Sequence, residues 1–544
     1  MKAKKTKSVL MASLCLLTTA VSAGCGPKKA DTENTLEIAA VDTGYGVNWL
    51  YKMIDAFKEQ DWVKEKYGDS LNILTPTIND DQTFASNRIK AGAKNNSIDL
   101  IFGLNLSGFA GVDSSGVEWL ADLTEDVFNQ NVPGEDILFK DKLDASYLNS
   151  LRFTDTTAAT VEDKYYYSSW ANVYGTFLYN EDILKAVNVG IPNTTDEFVA
   201  ACETIKNNYK VDGLTDFYCF IQGKDESYWS YPFNVWWAQY EGFDGYDDFY
   251  NGVYRGAYST KIFEQKGRVR ALEVYEDLLD FDKGYLNPAS LGLYEFMTAQ
   301  SAFLQGLAAF NMNGDWFAYE MSGVKENMIK NGKTPANIKM MRMPILSSII
   351  EKTPSIKDDA TLSAVVSAID NGEKSYEGVT EKDFAKIKEA REVIYSIGPL
   401  HNVAIPSYAN GKEPAKDFIR FMATDIAQEI YIKETEGASL PFKYDMDSLQ
   451  TKNVEAYNAI SDFQWSRLNY VYNKNYTPKA LPIIYNYPLV KFGGLAAFNK
   501  TNFYEVFSMQ GNTKTPDDYY NDTIKLWTQG KFDSALAAAG FSAK

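Results

Sequence analysis

The sequence predicts an α/β protein with mostly parallel sheets, and three observations lead to that class. Short apolar runs typical of buried strands alternate along the chain with amphipathic helical patterns. The chain has 544 residues, of which 45% are hydrophobic and 14% aromatic, so it can bury a large core divided among two or more domains. No internal repeat or low-complexity block interrupts the alternation. Strands that alternate with helices favour parallel pairing.

The N-terminus has the features of a secretory signal peptide. Four lysines precede VLMASLCLLTTAVSA, an apolar run too short to span a bilayer as a permanent helix. The small residues before Cys25 resemble the lipobox of bacterial lipoproteins, in which the cysteine becomes N-terminal and lipidated. We therefore expect a signal peptide over 1–24, lipidation of Cys25 and a polar tether over 25–35. A plain secreted protein with a chance cysteine is the alternative.

The net charge limits the class of partner. Removal of residues 1–24 takes away four lysines and no acidic residue, so the net charge changes from −18 to −22. Such acidity argues against nucleic acid or an anionic lipid surface as the partner. It fits a neutral or cationic small ligand, and we expect membrane contact through the lipid anchor only.

Few residues are available for metal binding or nucleophilic catalysis. His401 is the only histidine, which excludes a multi-histidine metal site and any Ser-His-Asp triad without it. It lies in an apolar, strand-like stretch and is interpreted as structural. Cys202 lies on an apolar helical stripe, so Cys202 and Cys219 are expected to be buried free thiols, with a disulfide as the alternative. We expect no metal and no cofactor.

The predicted elements follow one another from the N-terminus. Buried strands are expected at 35–41, 98–104 and 174–180. Helices are expected around Leu50–Phe57, from about residue 195 and around Ala415–Met422, the second opening with a capping box of Thr194 and Glu197. The highly charged stretch 351–393 is interpreted as a solvated insertion with short helices. Ligands of open parallel sheets bind beyond the strand carboxyl ends, which selects the loops DTGYG and GLNLSG.

Four segments resemble the family 1 extracellular solute-binding proteins, the sugar-binding lipoproteins of ABC importers. They are SIDLIFGLNLSGFA, YGTFLYNEDILKAVNVGIPNTTDEFVAACETI, FLQGLAAFNMNGDW and HNVAIPSYANGKEPAKDFIRFMATDIAQEIYIKETEGASLP. The third is the most specific, because it is similar to the family's Phe-x-x-Gly-x-Ala-Ala and Gly-x-Trp pattern. Together they extend over most of the chain from 36 to about 442, and the last hundred residues match no pattern.

The resemblance implies a two-lobed, periplasmic-binding-protein-like (type II) α/β fold with a hinge between the lobes. The implied division is 36–175 plus 338–422 for lobe 1 and 176–337 plus 423–544 for lobe 2. The strand at 174–180 would be one hinge strand, and the ligand would lie in the cleft between the lobes. We expect a monomer.

The resemblance also implies a set of ligand contacts. Sugars require aromatic platforms for their C–H faces and polar side chains for their hydroxyls. The expected binding residues come from the two selected loops, the approach to the hinge strand, the aromatic segment 225–242 and the Gly-Asp-Trp turn: Asp42, Tyr45, Asn105, Trp170, Asn172, Tyr228, Trp229, Asp315 and Trp316. Trp229 is expected to come before Tyr228 in importance, and Trp316 is expected to be displayed to the ligand.

The predicted function is that of a receptor anchored at the outer face of the bacterial membrane, which captures a carbohydrate and delivers it to an ABC permease. The family neither forms nor breaks covalent bonds. A lipid-anchored glycoside hydrolase is one alternative, since it would also carry aromatic platforms and acids and needs two carboxylates roughly 5–10 Å apart. A peptide-binding transport lipoprotein is the other, against which the Gly-Asp-Trp segment argues.

Overall fold

The computed structural model describes residues 33–541 except 96, 114, 155–162, 212, 215, 224–225, 482–487, 492–506 and 508. The predicted signal peptide 1–24, Cys25 and most of the predicted tether therefore lie outside the described residues. Among the helices within this range, none combines the length and the apolar character needed to cross a membrane.

The first sheet has five strands, in the order Thr77–Asn79, Ile38–Val41, Leu100–Leu104, His401–Ala404 and Tyr167–Ser169. The first three run parallel to one another, as the alternation of strands and helices predicts. His401–Ala404 runs antiparallel to both of its neighbours. The sheet is thus mixed, because its last two strands come from segments that connect it to the other half of the molecule.

The second sheet is built around Tyr174–Asn180, all seven residues of which are buried. The path of the sheet is Tyr218–Phe220, Ala308–Gly314, Tyr174–Asn180, Val393–Ser396 and Lys479–Leu481, and Ile338–Met340 also pairs with the central strand. The central strand is antiparallel to its three partners, whereas the outer pairs are parallel. The expectation of mostly parallel sheets therefore holds only in part.

The two sheets define two lobes, and the chain crosses between them three times among the described residues, the third time between the helices Asp425–Glu434 and Asp462–Val471. It leaves the first sheet after Ser169 and enters the second at Tyr174, then leaves the second after Ser396 and re-enters the first at His401. The expected division returned to lobe 1 at residue 338, but Ile338–Met340 pairs in the second sheet. These pairings favour a later return, and the lobe boundaries remain a prediction.

Helices cover both sheets. The longer ones around the first sheet are Asn48–Glu59, Asp61–Tyr67, Phe84–Ala91, Lys412–Met422 and Asp425–Glu434. Those around the second sheet are Glu181–Ala186, Thr195–Asn208, Ser230–Glu241, Phe243–Asn251, Gly267–Leu279, Phe296–Leu304, Ser322–Lys330, Asp359–Asp370, Glu381–Glu392, Asp462–Val471, Pro516–Leu526 and Gln529–Ala538.

The predicted helices are present, with a local change at one cap. The helix Asn48–Glu59 buries the predicted stripe of Leu50, Met53, Ile54 and Phe57. The Thr194 hydroxyl accepts a hydrogen bond from the Glu197 amide at 3.2 Å. The Glu197 carboxylate, however, accepts from the Asn193 amide instead of the Thr194 amide. The reciprocal half of the capping box is thus displaced by one residue.

The charged stretch 351–393 is not a solvated insertion. Its two helices, Asp359–Asp370 and Glu381–Glu392, enclose a hydrophobic cluster of their own that includes Ile345, Ile349, Leu362, Val365, Phe384 and Ile387. Charged residues dominate the composition because only one stripe of each helix faces this cluster. The expectation of short helices is right, and the expectation of a solvated segment is wrong.

The two cysteines that remain after the tether are close to each other and unbridged. Cys202 and Cys219 are both buried free thiols. The Cys219 thiol donates to the Cys202 carbonyl at 3.2 Å.

His401 begins a buried strand, and its surroundings are apolar. The imidazole is 7% exposed and meets the Trp170 ring edge-on with ring centroids 4.9 Å apart. Burial lowers the pKa of His401 to about 4, since the charged form would be desolvated.

We predict that the His401 imidazole stays neutral down to pH 5. Between its ordinary pKa of 6.5 and about 4, the unfolded chain binds the proton and the folded chain does not, so the free energy of unfolding should fall as the pH falls through that window. The slope should reach at most about 1.4 kcal/mol per pH unit. Because the chain has one histidine, its imidazole proton resonances can be assigned unambiguously in an NMR titration. A titration midpoint of His401 near pH 6.5 would contradict the prediction. As a control, His401→Gln should abolish this contribution to the pH dependence of the free energy of unfolding.

Candidate functional site

The lobes meet where the loop after Ile38–Val41 touches the turn after Ala308–Gly314. Gly44 has φ +35°, and a Cβ there would lie 2.9 Å from the Cβ of Trp316. Gly46 has φ +64°, and a side chain there would overlap the ring of Tyr319. Both positions need glycine for conformation and for space. We call the region around this contact the interlobe crevice: the loop 42–46, residues 172–174, the turn 314–316 and the inner face of the helix Asp462–Val471.

Asp315 lies at the centre of the interlobe crevice and is 1% exposed. Its Oδ1 accepts hydrogen bonds from the Tyr45 hydroxyl at 2.6 Å and from the Tyr174 amide at 3.3 Å. Its Oδ2 accepts from Nε of Arg467 at 2.5 Å. Burial raises the pKa of Asp315, while Arg467, Tyr45 and the Tyr174 amide oppose that rise. Three donors thus hold one buried carboxylate in a fixed position.

Arg467 connects this carboxylate to the first lobe. Its side chain is fully buried, and its Nη2 donates to the Asn172 carbonyl at 2.8 Å and to the Ser439 hydroxyl at 2.9 Å. Burial acts to lower the pKa of the guanidinium, but the Asp315 carboxylate raises it above its ordinary value. Arg467 is therefore a permanent cation that contacts groups on both sides of the interlobe crevice.

Polar atoms around this ion pair have no hydrogen-bond partner among the described residues. They are Nη1 of Arg467, Oε1 of Gln464 and the hydroxyl of Tyr431. The amide of Gln464 also donates to the Asp315 carbonyl at 3.2 Å, and the Tyr431 ring lies 6.2 Å from the Tyr45 ring. Buried donors and acceptors without partners are costly. A ligand that carries hydroxyl groups could satisfy all three, because hydroxyls both donate and accept.

Trp316 is not displayed as an open platform in this structure. The indole is 6% exposed and folds back over Gly314, where a Cβ would overlap its six-membered ring. Its rings lie 5.7 Å from the ring of Tyr228, and the loop of the first lobe at Gly44 covers its base. The indole therefore forms part of the contact between the lobes, and its role as a ligand platform stays a prediction.

The structure places Trp229 and Tyr228 in different surroundings. Trp229 is 3% exposed and packs in the core of the second lobe, with ring centroids 5.9 Å from Phe177 and 5.6 Å from Tyr275. Tyr228, which is partly exposed, is the neighbour that reaches Trp316. The segment is so rich in aromatic residues that sequence spacing alone did not separate the core rings from the one at the crevice.

Trp170 and Asn172 lie beside the interlobe crevice in different surroundings. Trp170 is 1% exposed, stacks on Trp49 with centroids 5.5 Å apart, and donates from Nε1 to the Gly103 carbonyl at 3.2 Å. Neither indole presents a face to solvent here. The Asn172 side chain accepts from the Tyr147 hydroxyl at 2.8 Å, and its carbonyl accepts from Arg467. Asn172 thus belongs to the polar network, whereas Trp170 packs behind it.

The two remaining candidates lie at the loops of the first sheet. Asp42 is partly buried, and burial together with Asp80 raises its pKa. Asn105 is exposed with φ +52°, and its side chain accepts from the Ser107 hydroxyl at 2.9 Å. No described contact brings Asn105 to Asp315. Within the described parts of the chain, no group of three or more histidine, cysteine, aspartate or glutamate side chains could hold a metal ion.

The residues that the sequence analysis missed come from the C-terminal part of the chain. Arg467 and Gln464 lie on the buried face of Asp462–Val471 together with Phe463, Leu468 and Val471. These positions follow the spacing of one helix face, so the pattern places an arginine within an apolar stripe. An arginine within an apolar stripe was the sequence feature that could have identified Arg467. Tyr431 gave no comparable signal, because tyrosines on buried helix faces are common.

Comparisons with known proteins agree with this architecture. The family model described as bacterial extracellular solute-binding protein matches residues 43–429. No curated protein matches the chain. Three similar solved structures are a protein from a study of xylan utilization by Caldanaerobius polysaccharolyticus, the GacH receptor of Streptomyces glaucescens and a probable secreted solute-binding lipoprotein from Streptomyces coelicolor.

The structural similarity extends over nearly the whole of each chain. The Caldanaerobius protein is 16% identical with a TM-score of 0.52, covering 91% of this chain and 100% of its own. GacH is 16% identical with a TM-score of 0.54, covering 92% and 98%. The Streptomyces coelicolor protein is 14% identical with a TM-score of 0.54, covering 92% and 99%. At this identity the similarity establishes the two-lobed α/β fold.

We predict that Arg467→Met lowers the free energy of unfolding by about 3–5 kcal/mol, because it leaves the Asp315 carboxylate buried without a counter-charge. The double variant Asp315→Leu/Arg467→Met should recover most of this loss, since no charge then remains to be desolvated. Guanidinium-induced unfolding measures both. As a control, Lys433→Met removes the exposed ion pair with Glu455 and should leave the free energy of unfolding nearly unchanged, because solvent screens such a pair. Equal losses for Arg467→Met and Lys433→Met would contradict the prediction.

Proposed function

The chain belongs to the bacterial extracellular solute-binding protein family, and from that premise we propose that it captures a carbohydrate in the interlobe crevice and delivers it to an ABC permease. The observation that carries the proposal is the buried polar network around Asp315 and Arg467. Its partnerless atoms on Arg467, Gln464 and Tyr431 suit a ligand with many hydroxyl groups.

The aromatic residues at the interlobe crevice support the same ligand class. Trp316 and Tyr228 lie side by side at its edge, and Tyr45 closes it from the first lobe. Flat rings suit the C–H faces of sugars, while the carboxylate and amides suit their hydroxyls. The proposed binding residues are therefore Asp42, Tyr45, Asn172, Tyr228, Asp315, Trp316, Gln464 and Arg467.

Two of the similar proteins are associated with carbohydrates. GacH was crystallised in complex with acarbose and an acarbose homolog, and the Caldanaerobius protein comes from work on xylan utilization. These properties belong to those proteins. They support an oligosaccharide as the proposed ligand here because the fold that presents the crevice is the same.

We propose that the lobes separate to admit the ligand and close around it. The crossings at 169–174 and 396–401 are short and offer the hinge. The contact of Gly44 with Trp316 and the hydrogen bond of Tyr45 to Asp315 join the lobes directly, so opening must break both. The protein would thereby present a closed, loaded form to the permease.

A glycoside hydrolase is the less favoured alternative. Such an enzyme needs one carboxylate that is free to transfer a proton and a second one nearby. In the interlobe crevice, both oxygens of Asp315 are engaged by Arg467, Tyr45 and the Tyr174 amide. We therefore propose binding without bond cleavage at this carboxylate.

The lipid anchor is part of the proposal. The small residues before Cys25 and the polar tether after it support lipidation and attachment to the outer face of the membrane. A monomer suffices, since the interlobe crevice is formed within one chain.

A thermal-shift screen of the mature protein against a glycan panel tests the proposed function. A ligand at one hundred times its dissociation constant should stabilise the fold by about 2.7 kcal/mol. Short peptides form a second arm of the screen. The glycans are analysed afterwards for cleavage products. Stabilisation by peptides alone, or cleavage of a glycan, would overturn the proposal.

We predict that Trp316→Ala weakens binding of the glycan identified in that screen by about ten- to a hundredfold, corresponding to roughly 1–3 kcal/mol. The matched control is Trp236→Ala, which removes a fully buried indole from the core of the second lobe. That control should lose about 3–5 kcal/mol of stability. Unfolding and calorimetric titration of both variants measure the two effects; a large loss of stability with unchanged affinity for Trp316→Ala would contradict the platform role.

We predict that Cys25→Ala releases the protein from the membrane fraction without changing its fold or its affinity for ligand, because the polar tether separates the cysteine from the first sheet. Fractionation of expressing cells, with circular dichroism and titration of the released protein, measures this. Continued membrane association of the variant would show that another feature holds the protein there.

A further inference from the structure

The helix Asp462–Val471 separates two sites with its two faces. Its inner face carries Arg467 and Gln464 into the interlobe crevice. Its outer face carries Asp462, Trp465, Ser466 and Asn469, which follow the spacing of one helix face and line a groove on the second lobe. We call this the lateral groove; it is also lined by Lys339–Arg342, Asp370, Arg391, Asn473 and Tyr476.

The lateral groove has a volume of about 740 Å³, which is the size of a site for a small organic ligand. None of the residues around Asp315 that form the polar network lines it. The two sites are therefore distinct, and the proposal that follows goes beyond the proposed function of the interlobe crevice.

Arg342 is the distinctive group in the wall of the lateral groove. Its guanidinium lies 4.7 Å from the ring of Tyr476 and 5.7 Å from the ring of Tyr470. Its Nη1 donates to the Arg391 carbonyl at 3.4 Å, and its Nη2 is buried without a hydrogen-bond partner among the described residues. Burial lowers the pKa of Arg342. The two rings fix the guanidinium plane but do not neutralise its charge.

Two of the carboxylates at or next to the lateral groove, Asp370 and Glu181, are engaged by other cations, whereas Asp462 is exposed and has no ion-pair partner among the described residues. The Asp370 carboxylate forms an ion pair with the Arg391 guanidinium at 2.7 Å and also accepts a hydrogen bond from the Tyr476 hydroxyl. Lys339 is paired with Glu181 at 2.8 Å. No described ion pair reaches Arg342, although the chain is strongly acidic overall. Asp370 attracts Arg342 only from beyond ion-pair distance, so the buried guanidinium has no described negative group in contact with it.

The other lining groups suit a body with hydroxyls. Trp465 offers a partly buried flat ring, and Asn469 offers an exposed amide one helical turn further along. Aromatic faces and amides are the groups that contact the C–H faces and hydroxyls of sugars. We propose that the lateral groove binds a carboxylate-bearing saccharide, a uronate, with its carboxylate at Arg342 and its ring against Trp465 and Asn469. The partnerless Nη2 of Arg342 would donate a charge-assisted hydrogen bond to that carboxylate.

Calorimetric titration of the mature protein with galacturonate tests this inference, with galactose and acetate as the matched neutral and non-saccharide probes. Galacturonate should bind at least tenfold more tightly than either probe. If galactose binds as tightly as galacturonate, Arg342 does not recognise the carboxylate. If acetate binds as tightly as galacturonate, the groove does not recognise the sugar ring.

Two variants assign the binding to the lateral groove. Asn469→Asp adds a negative charge at an exposed position of the groove and should weaken galacturonate binding at least tenfold without changing the unfolding midpoint. Asn458→Asp, on an exposed position of the helix Val454–Ala459 outside the groove, is the matched control and should leave binding unchanged. Equal binding by Asn469→Asp and the unsubstituted protein would overturn the assignment.

A third variant separates this inference from the proposed function. Trp316→Ala should leave galacturonate binding unchanged, because Trp316 does not line the lateral groove. Loss of galacturonate binding in Trp316→Ala, with retention in Asn469→Asp, would place the uronate in the interlobe crevice. That result would overturn the lateral site while leaving carbohydrate capture in place.

Discussion

The buried ion pair between Asp315 and Arg467 is the interaction on which the arrangement of the lobes depends. It joins the turn after the second sheet's strand Ala308–Gly314 to a helix from the C-terminal part of the chain. Through Tyr45, Asn172 and Ser439, the same two charges also engage the first lobe. A buried pair of this kind adds little net stability, because desolvation offsets attraction, but it penalises every arrangement in which either charge is left alone. Its contribution is therefore to select one geometry.

Glycine makes that geometry sterically possible. Gly44 and Gly46 allow the loop of the first lobe to approach Trp316 and Tyr319 at distances that any side chain would prevent, and Gly314 makes room for the indole itself. The Tyr45 hydroxyl reaches Asp315 only because the glycines on both sides of it permit this approach. Backbone contact at Gly44, the tyrosine hydrogen bond and the ion pair thus form successive layers of one interface, from its edge to its buried centre.

Local patterns in the sequence were sufficient for the elements but not for their long-range partners. The strands at 38–41, 100–104 and 174–180 and the helix Asn48–Glu59 are predictable, because apolar runs and helical periodicity are local properties. The contact between Tyr45 and Asp315 joins residues 270 positions apart, and each was predicted to bind ligand without any sign that they bind each other. The segment 351–393 was misjudged because composition conceals a single apolar stripe. Trp229 packs in the core although it was expected at the ligand, because spacing alone does not separate the core rings from the others in a segment with so many aromatic residues.

The C-terminal part of the chain changes what can be transferred from the family. The family model ends at residue 429, yet Arg467 and Gln464, which complete the polar network, lie beyond it. Tyr431 lies just outside the match as well and leaves a buried hydroxyl without a partner at the same place. The architecture of two lobes agrees with the family match, whereas three of the innermost hydrogen-bonding groups, Tyr431, Gln464 and Arg467, lie beyond the residues that the family model matches. Specificity resides in such groups, because a wrong ligand leaves them unpaired. The identity of the ligand therefore has to be determined on this chain and does not follow from the ligands of its relatives.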